Sequence, residues 1–192
     1  MSAAAHAPAN GAAPGQDHLG PAVAAFDRWA DELLDRLRGL PAADRVFTAA
    51  SELGDFSLIW HLVSSARGLG SERAASDAII LAALIGAESL VVNQGIKRLF
   101  KRVRPTVAGD DRYAVRQPST SSFPSGHASA AAFAATLLAA RSPAWTRPFW
   151  FALAGVVALS RAFVRIHHAS DVVAGLATGL ALAAVARRIV RW

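Results

Sequence analysis

The sequence contains no cysteine, which excludes thiol catalysis, disulfides and thiolate metal sites and leaves histidine and the carboxylates as the ligand-forming side chains. Nothing about the redox compartment follows from that absence. Charge is scarce as well: 18% of the 192 residues are charged against 53% hydrophobic, and the mean hydropathy is +0.31. A soluble domain of this size has little room to hide so much apolar surface, so the balance points to membrane insertion. Lysine occurs only as Lys97 and Lys101, and arginine supplies the other positive charges, a bias read as that of an arginine-rich and alanine-rich genome. A net charge of +6 and a pI near 11.1 would suit nucleic acid. The basic residues, however, alternate with apolar segments and form no single soluble face, so anionic lipid is the expected partner and nucleic acid is not.

Residues 1 to about 20 are rich in Ala, Pro and Gly. They lack the basic start and apolar run of a signal peptide and read as a disordered tail without cleavage. In the segment 21–43, Val23, Phe26, Trp29, Ala30, Leu33, Leu34 and Leu37 recur at three- and four-residue steps between charged positions. That period predicts an amphipathic helix, placed at the membrane surface or packed against the domain or a partner. The remainder, 44–192, reads as one membrane-embedded, all-α bundle of about five transmembrane helices. The candidate spans are 46–65, 77–96, 127–141, 149–164 and 172–190. The first is the least apolar, because Glu52 and Asp55 fall in it. The third is short, but its Ala and Ser content suits close packing. Trp145, Trp150 and Trp192 fall near span ends, where an indole bridges the apolar layer and the headgroups; ordinary packing is the alternative. Glu88, in mid-span, is expected to be neutral or hydrogen-bonded inside the bundle. With five crossings, the connections 97–126 and 161–171 emerge on one membrane face, and they carry most of the reactive side chains.

Three stretches stand out. Lys97 and Arg104, seven residues apart, would share one face of a helix that Pro105 ends. Alone the pattern is weak, because basic residues at the end of a spanning helix usually anchor it in the headgroups. The stretch Pro124-Ser125-Gly126-His127 precedes an uninterrupted Ala-rich run, so a helix should begin near Ser125. Its free N–H groups, the Ser125 hydroxyl and the helix dipole form a phosphate cradle, and Gly126 permits close approach. The alternative is a capping segment with an incidental histidine. Finally, Ser160-Arg161 is followed by His167 and then Asp171. One helical turn separates the last two, so the carboxylate can hold one imidazole nitrogen and leave the other as a nucleophile. A helix continuing from Arg161 would turn His167 away, so a break before the histidines is expected, with His168 a bystander.

Taken in order, Lys97 to Arg104-Pro105, Pro124 to His127, and Ser160-Arg161 to His167 to Asp171 resemble the three signature motifs of the type 2 phosphatidic acid phosphatase superfamily. The similarity extends from about residue 44 to the C-terminus. It implies an integral membrane enzyme, multi-pass in a bacterial cell membrane, that hydrolyses a lipid phosphate monoester without metal or other cofactor. His167 would be the nucleophile, oriented by Asp171. His127 would be the general acid and base, while Lys97, Arg104, Ser125, Gly126 and Arg161 bind the phosphate. The expected substrate is polyprenyl-linked, such as a polyprenyl-phosphoryl phosphoribose, with phosphatidylglycerol phosphate, phosphatidic acid and polyprenyl diphosphate as alternatives. A vanadate-dependent haloperoxidase, built on a similar constellation, is disfavoured by the small apolar chain. A non-catalytic lipid-binding protein would need the cations but not His127, His167 and Asp171.

Overall fold

The computed structural model describes residues 13–106, 113, 115–116 and 118–190, and every regular element among them is helical. The α-helices are α1 (Pro21–Asp35), α2 (Pro41–Gly54), α3 (Leu58–Gly68), α4 (Glu72–Leu90), α5 (Gly126–Ala140), α6 (Arg147–Phe163) and α7 (Ala169–Ile189). Small residues place α5 at the centre. Its Ala128 to Ala135 positions are all buried, because a helix made of Ala and Ser has no bulk to keep neighbours away. The closest approach is to α7. A Cβ on Gly175 would collide with the Ser125 carbonyl, and one on Gly179 would collide with the Ser129 carbonyl and lie 2.9 Å from its carbon. Trp60, Leu81, Ile85, Phe133, Leu137, Trp150 and Val157 fill the core at one end of the bundle. A second apolar cluster, with Phe163, Ile166 and Val172, underlies the end that carries the histidines.

Two helices among the described residues are long and apolar enough to cross a bilayer: the run Glu72–Leu99, of which α4 is the first part, and Ala169–Ile189. Only 22% and 33% of their most apolar windows are buried, so these surfaces face outward and do not serve as a soluble core. The helices α5 and α6, with 15 and 17 residues, are shorter than the roughly 20 residues of a typical span. The expected span 46–65 is not continuous. It divides into α2 and α3 at Asp55–Ser57, where Phe56 and Ser57 take positive φ angles of 53° and 59°. The physical reason is Asp55, which leaves the apolar helical path to pair with His127.

The N-terminal segment is more ordered than its composition suggests. Residues 13–20, placed in a disordered tail by sequence, include the short helix Gln16–Leu19, and Gln16 is buried. Residues 1–12 of that tail, and Trp192, lie outside the described residues. The amphipathic helix forms as α1 and packs against α6 and α7. Phe26, Trp29 and Leu33 nevertheless stay exposed. Arg38, just beyond α1, donates to the carbonyls of Phe163 at 2.9 Å and Ala162 at 3.1 Å and pairs with Asp31 at 2.6 Å. A cation on the carbonyls at the end of α6 locks the N-terminal segment to that end.

Candidate active site

The chain breaks where the sequence requires. After α6 the residue Arg165 adopts φ 56°, the N–H groups of Ile166 and His167 both return to the Arg161 carbonyl, and α7 begins at Ala169. This turn aims His167 inward. Its Nδ1 stands 3.6 Å from Asp171 Oδ2 and 3.4 Å from the Ser122 hydroxyl, which donates to the same carboxylate oxygen at 2.5 Å. Ser122 thus bridges ring and carboxylate. Nε2 lies 3.1 Å from Arg104 Nη1. Burial holds His167 well below its ordinary pKa, the charges of Arg104 and Lys97 add to that, and Asp171 opposes it. The ring is therefore neutral at physiological pH, the form in which an imidazole is nucleophilic. Its neighbour His168 is structural: its ring accompanies the Val103 carbonyl at 3.2 Å, and its backbone N–H donates to Asp171 at 2.9 Å.

Lys97 and Arg104 converge on this end, but not along one helix. The helical run stops at Leu99, so the shared helical face expected from their spacing does not exist. Gly95, at φ −98° and ψ −82°, departs from helical geometry, and the non-helical backbone after Leu99 lets two guanidinium groups reach buried acceptors. All five Arg104 N–H groups are engaged, by the carbonyls of Pro118, Ile166, Thr120 and Ser121 and by His167 Nε2. Burial lowers Arg104 to about 10, which leaves it charged at neutral pH. Arg102, two residues earlier, pairs at 2.6 Å with both Asp171 and Asp27.

Ser125 caps α5 as the sequence predicts, its hydroxyl accepting from the Ala128 N–H. Its own N–H donates to the Asp171 carbonyl at 2.9 Å, so the starts of α5 and α7 are tied together. Gly126 lies close to two polar groups: a Cβ there would sit 3.1 Å from Asn93 Oδ1 and 3.6 Å from Lys97 Nζ. The His127 ring pairs through Nε2 with Asp55 at 2.9 Å, and Gly54 must lack a side chain because a Cβ would come within 2.6 Å of that ring. Arg161 is 1% exposed. Its Nη1 donates to the carbonyl and hydroxyl of Ser51, while Nε and Nη2 find no partner among the described residues.

A cavity of about 360 Å³ gathers Lys97, Gly126, His127 and His167, together with Asp55, Glu88 and Asn93. The two histidines thus face one space. Glu88 is buried and accepts from the Ser129 hydroxyl, the hydrogen-bonded state expected for it. No group of three or more His, Asp or Glu suited to a metal ion occurs among the described residues. Sequence reasoning missed Ser122, Arg102, Asp55 and Asp27. Asp55 did carry a signal, a carboxylate inside an apolar segment. Asp27 carried none, since it stands in one four-residue series with Asp31 and Asp35, and only its burial beside Ala24 and Leu34 sets it apart.

The PAP2 superfamily model matches residues 77–192. A decaprenylphosphoryl-5-phosphoribose phosphatase of Mycolicibacterium smegmatis is 33% identical over 141 residues, covering 72% of this chain and 74% of that one. Among solved structures, a transmembrane PAP2-type phosphatidylglycerolphosphate phosphatase from Bacillus subtilis superposes with a TM-score of 0.70 at 22% identity, over 92% of this chain and 90% of the other. At that identity the likeness speaks for the fold, whereas the family match and the mycobacterial relative extend to kinship. The chain belongs to the PAP2 superfamily and is a phosphoric ester hydrolase.

Proposed function

We propose that this enzyme hydrolyses a lipid phosphate monoester at the membrane surface through a phosphohistidine on His167, and that its substrate is a polyprenyl-phosphoryl phosphoribose. The observation that carries the reading is the cavity shared by His127, His167 and Lys97; Arg161 does not line it, but it is buried and keeps two guanidinium nitrogens without a partner among the described residues. A phosphoryl group at neutral pH brings close to two negative charges and several strong acceptors, which such donors would satisfy.

In the first step Nε2 of His167 attacks phosphorus and the bond to the leaving alkoxide oxygen breaks, with His127 delivering a proton to that oxygen. Arg104 Nη1 releases Nε2 and turns to a phosphoryl oxygen. Lys97, Arg161 and the start of α5, including Ser125 and Gly126, stabilise the equatorial charge. Asp171, through Ser122 and directly, supports the imidazolium charge. In the second step water attacks phosphorus, gives a proton to His127, and the nitrogen–phosphorus bond breaks to return neutral His167 and free phosphate. Asp55 orients His127 for both transfers.

The substrate reading rests on the name of the mycobacterial relative and on the polar wall of the cavity. Glu88, Asn93, Gln94 and Thr120 offer hydrogen bonds to a hydroxyl-rich leaving group, which a diacylglycerol would leave unmet. Purified protein assayed against polyprenyl-phosphoryl phosphoribose, phosphatidylglycerol phosphate, phosphatidic acid and polyprenyl diphosphate should show the highest kcat/KM for the first. A higher value for another member would reassign the substrate, and turnover surviving His167→Ala would reject the mechanism.

We also infer a multi-pass arrangement in which α1 rests on the membrane surface through Phe26, Trp29 and Leu33. Quenching of a single-tryptophan Trp29 variant by bromine-labelled lipid tests this, and fluorescence unaffected by the lipid would contradict it.

A further inference from the structure

A buried chain of charge runs from the N-terminal helix to the reacting histidine. Asp27 on α1, Arg102 and Asp171 on α7 have side chains that are 1%, 0% and 0% exposed, and both ion pairs measure 2.6 Å. Arg102 also donates to the Ser170 hydroxyl at 2.7 Å and to the Gly15 carbonyl at 3.0 Å. Asp27 in turn accepts from the Ser170 backbone N–H at 2.7 Å and from its hydroxyl at 2.8 Å. Its carboxylate therefore caps the start of α7 from a different helix, where the dipole favours negative charge. Asp27 lies outside residues 77–192, the part that matches the family model.

The electrostatics of this arrangement are specific. An arginine paired with Asp171 alone would neutralise the carboxylate that the His167 imidazolium needs. Because Arg102 is divided between two carboxylates, the three groups keep one net negative charge, and Asp171 presents it to the ring. Removing a carboxylate here would also strand part of a buried cation. We propose that Asp27 is a positioning residue for catalysis: by taking half of Arg102 it leaves Asp171 charged toward His167, and so makes α1 a working part of the active site. The inference rests on the assignment of His167 above, and it adds an essential contribution from a helix outside the signature motifs.

The test uses full-length protein in detergent and the lipid phosphate of highest kcat/KM from the panel above. Asp27→Asn keeps the shape and removes the charge; kcat should fall about 10- to 100-fold, by analogy with the loss when a group that orients a metal-binding side chain is removed. KM should stay within about twofold, because the substrate is not touched. The decisive arm is Asp27→Asn combined with Arg102→Met, which restores one net negative charge at Asp171. If charge is what matters, the double variant recovers at least about threefold in kcat over the single one, although it has lost more hydrogen bonds. If Asp27 merely holds the fold together, the double variant is slower than the single one and its thermal midpoint falls in step, which overturns the proposal. Should Asp27→Asn fail to fold, the double variant decides alone, since it strands no buried cation: kcat within about tenfold of wild type supports the proposal and a loss beyond about 100-fold overturns it. His167→Ala separates the two levels. Activity surviving in that variant refutes the site itself, whereas a dead His167→Ala beside a fully active Asp27→Asn refutes only this inference.

Discussion

Asp171→Asn removes the carboxylate charge that stands beside His167 and, in the proposed mechanism, orients and supports it. At 3.6 Å from Nδ1, a carboxylate attracts a fully formed imidazolium by about 4–5 kcal/mol at an effective dielectric of about 20. Only part of the positive charge has developed at the transition state, so a loss of about 3–4 kcal/mol is expected, or roughly 10²–10³-fold in kcat. KM should change little, because Asp171 does not reach the substrate. Stability should suffer too. Asp171 accepts from Arg102, from the Ser122 hydroxyl and from the His168 N–H, so one of these donors would meet the amide NH₂ of asparagine. The assay is steady-state kinetics on full-length protein, with a thermal midpoint on the same sample. A kcat within tenfold of wild type in a folded Asp171→Asn protein would refute the reasoning.

Gly54→Ala should displace the His127 ring and reduce kcat while barely moving the thermal midpoint; a normal kcat would show that the ring has room to spare. Gly179→Ala should cost about 1–3 kcal/mol by forcing α5 and α7 apart, whereas Gly86→Ala, with open space around its Cβ, should be neutral or stabilise by about 0.5–1 kcal/mol. Denaturation of both variants checks the sign, and equal midpoints would contradict the close packing. Because the folded-state pKa of His167 lies below its ordinary value of 6.5, the unfolded chain takes up a proton near pH 6.5 that folded His167 refuses. Stability should therefore be unaffected by His167 above about pH 7.5 and decline below about 6.5, and His167→Gln should flatten that decline. An unchanged slope in the variant would remove His167 as its source.

Much of the site was legible because its chemistry is local. The start of α5 at Ser125, the break before His167 and the place of Asp171 in the first turn of α7 each follow from a capping residue, a helical offset or a charge preference within a few positions. What escaped was long-range. The Asp27–Arg102 pair joins residues 75 positions apart, and nothing in the period of α1 distinguishes Asp27 from Asp31, which pairs with Arg38 instead. The kink after Gly54 was hidden for the same reason: hydropathy reads 46–65 as one span, and only the distant His127 explains why Asp55 leaves the helix. Lys97 and Arg104 both come to the end of the bundle that carries the histidines, but not by the geometry their spacing suggests. Their seven-residue spacing fits one helical face, but the guanidinium reaches the site because the helix has already ended.

Rapid acid-free quenching of the enzyme during turnover of ³²P-labelled lipid phosphate, followed by mass spectrometry, tests the central claim most directly. The account predicts a phosphoryl group that is stable to base and labile to acid, carried by His167 and absent from His167→Ala. Label on another residue, or turnover at the normal rate with no phosphorylated histidine formed, would contradict it.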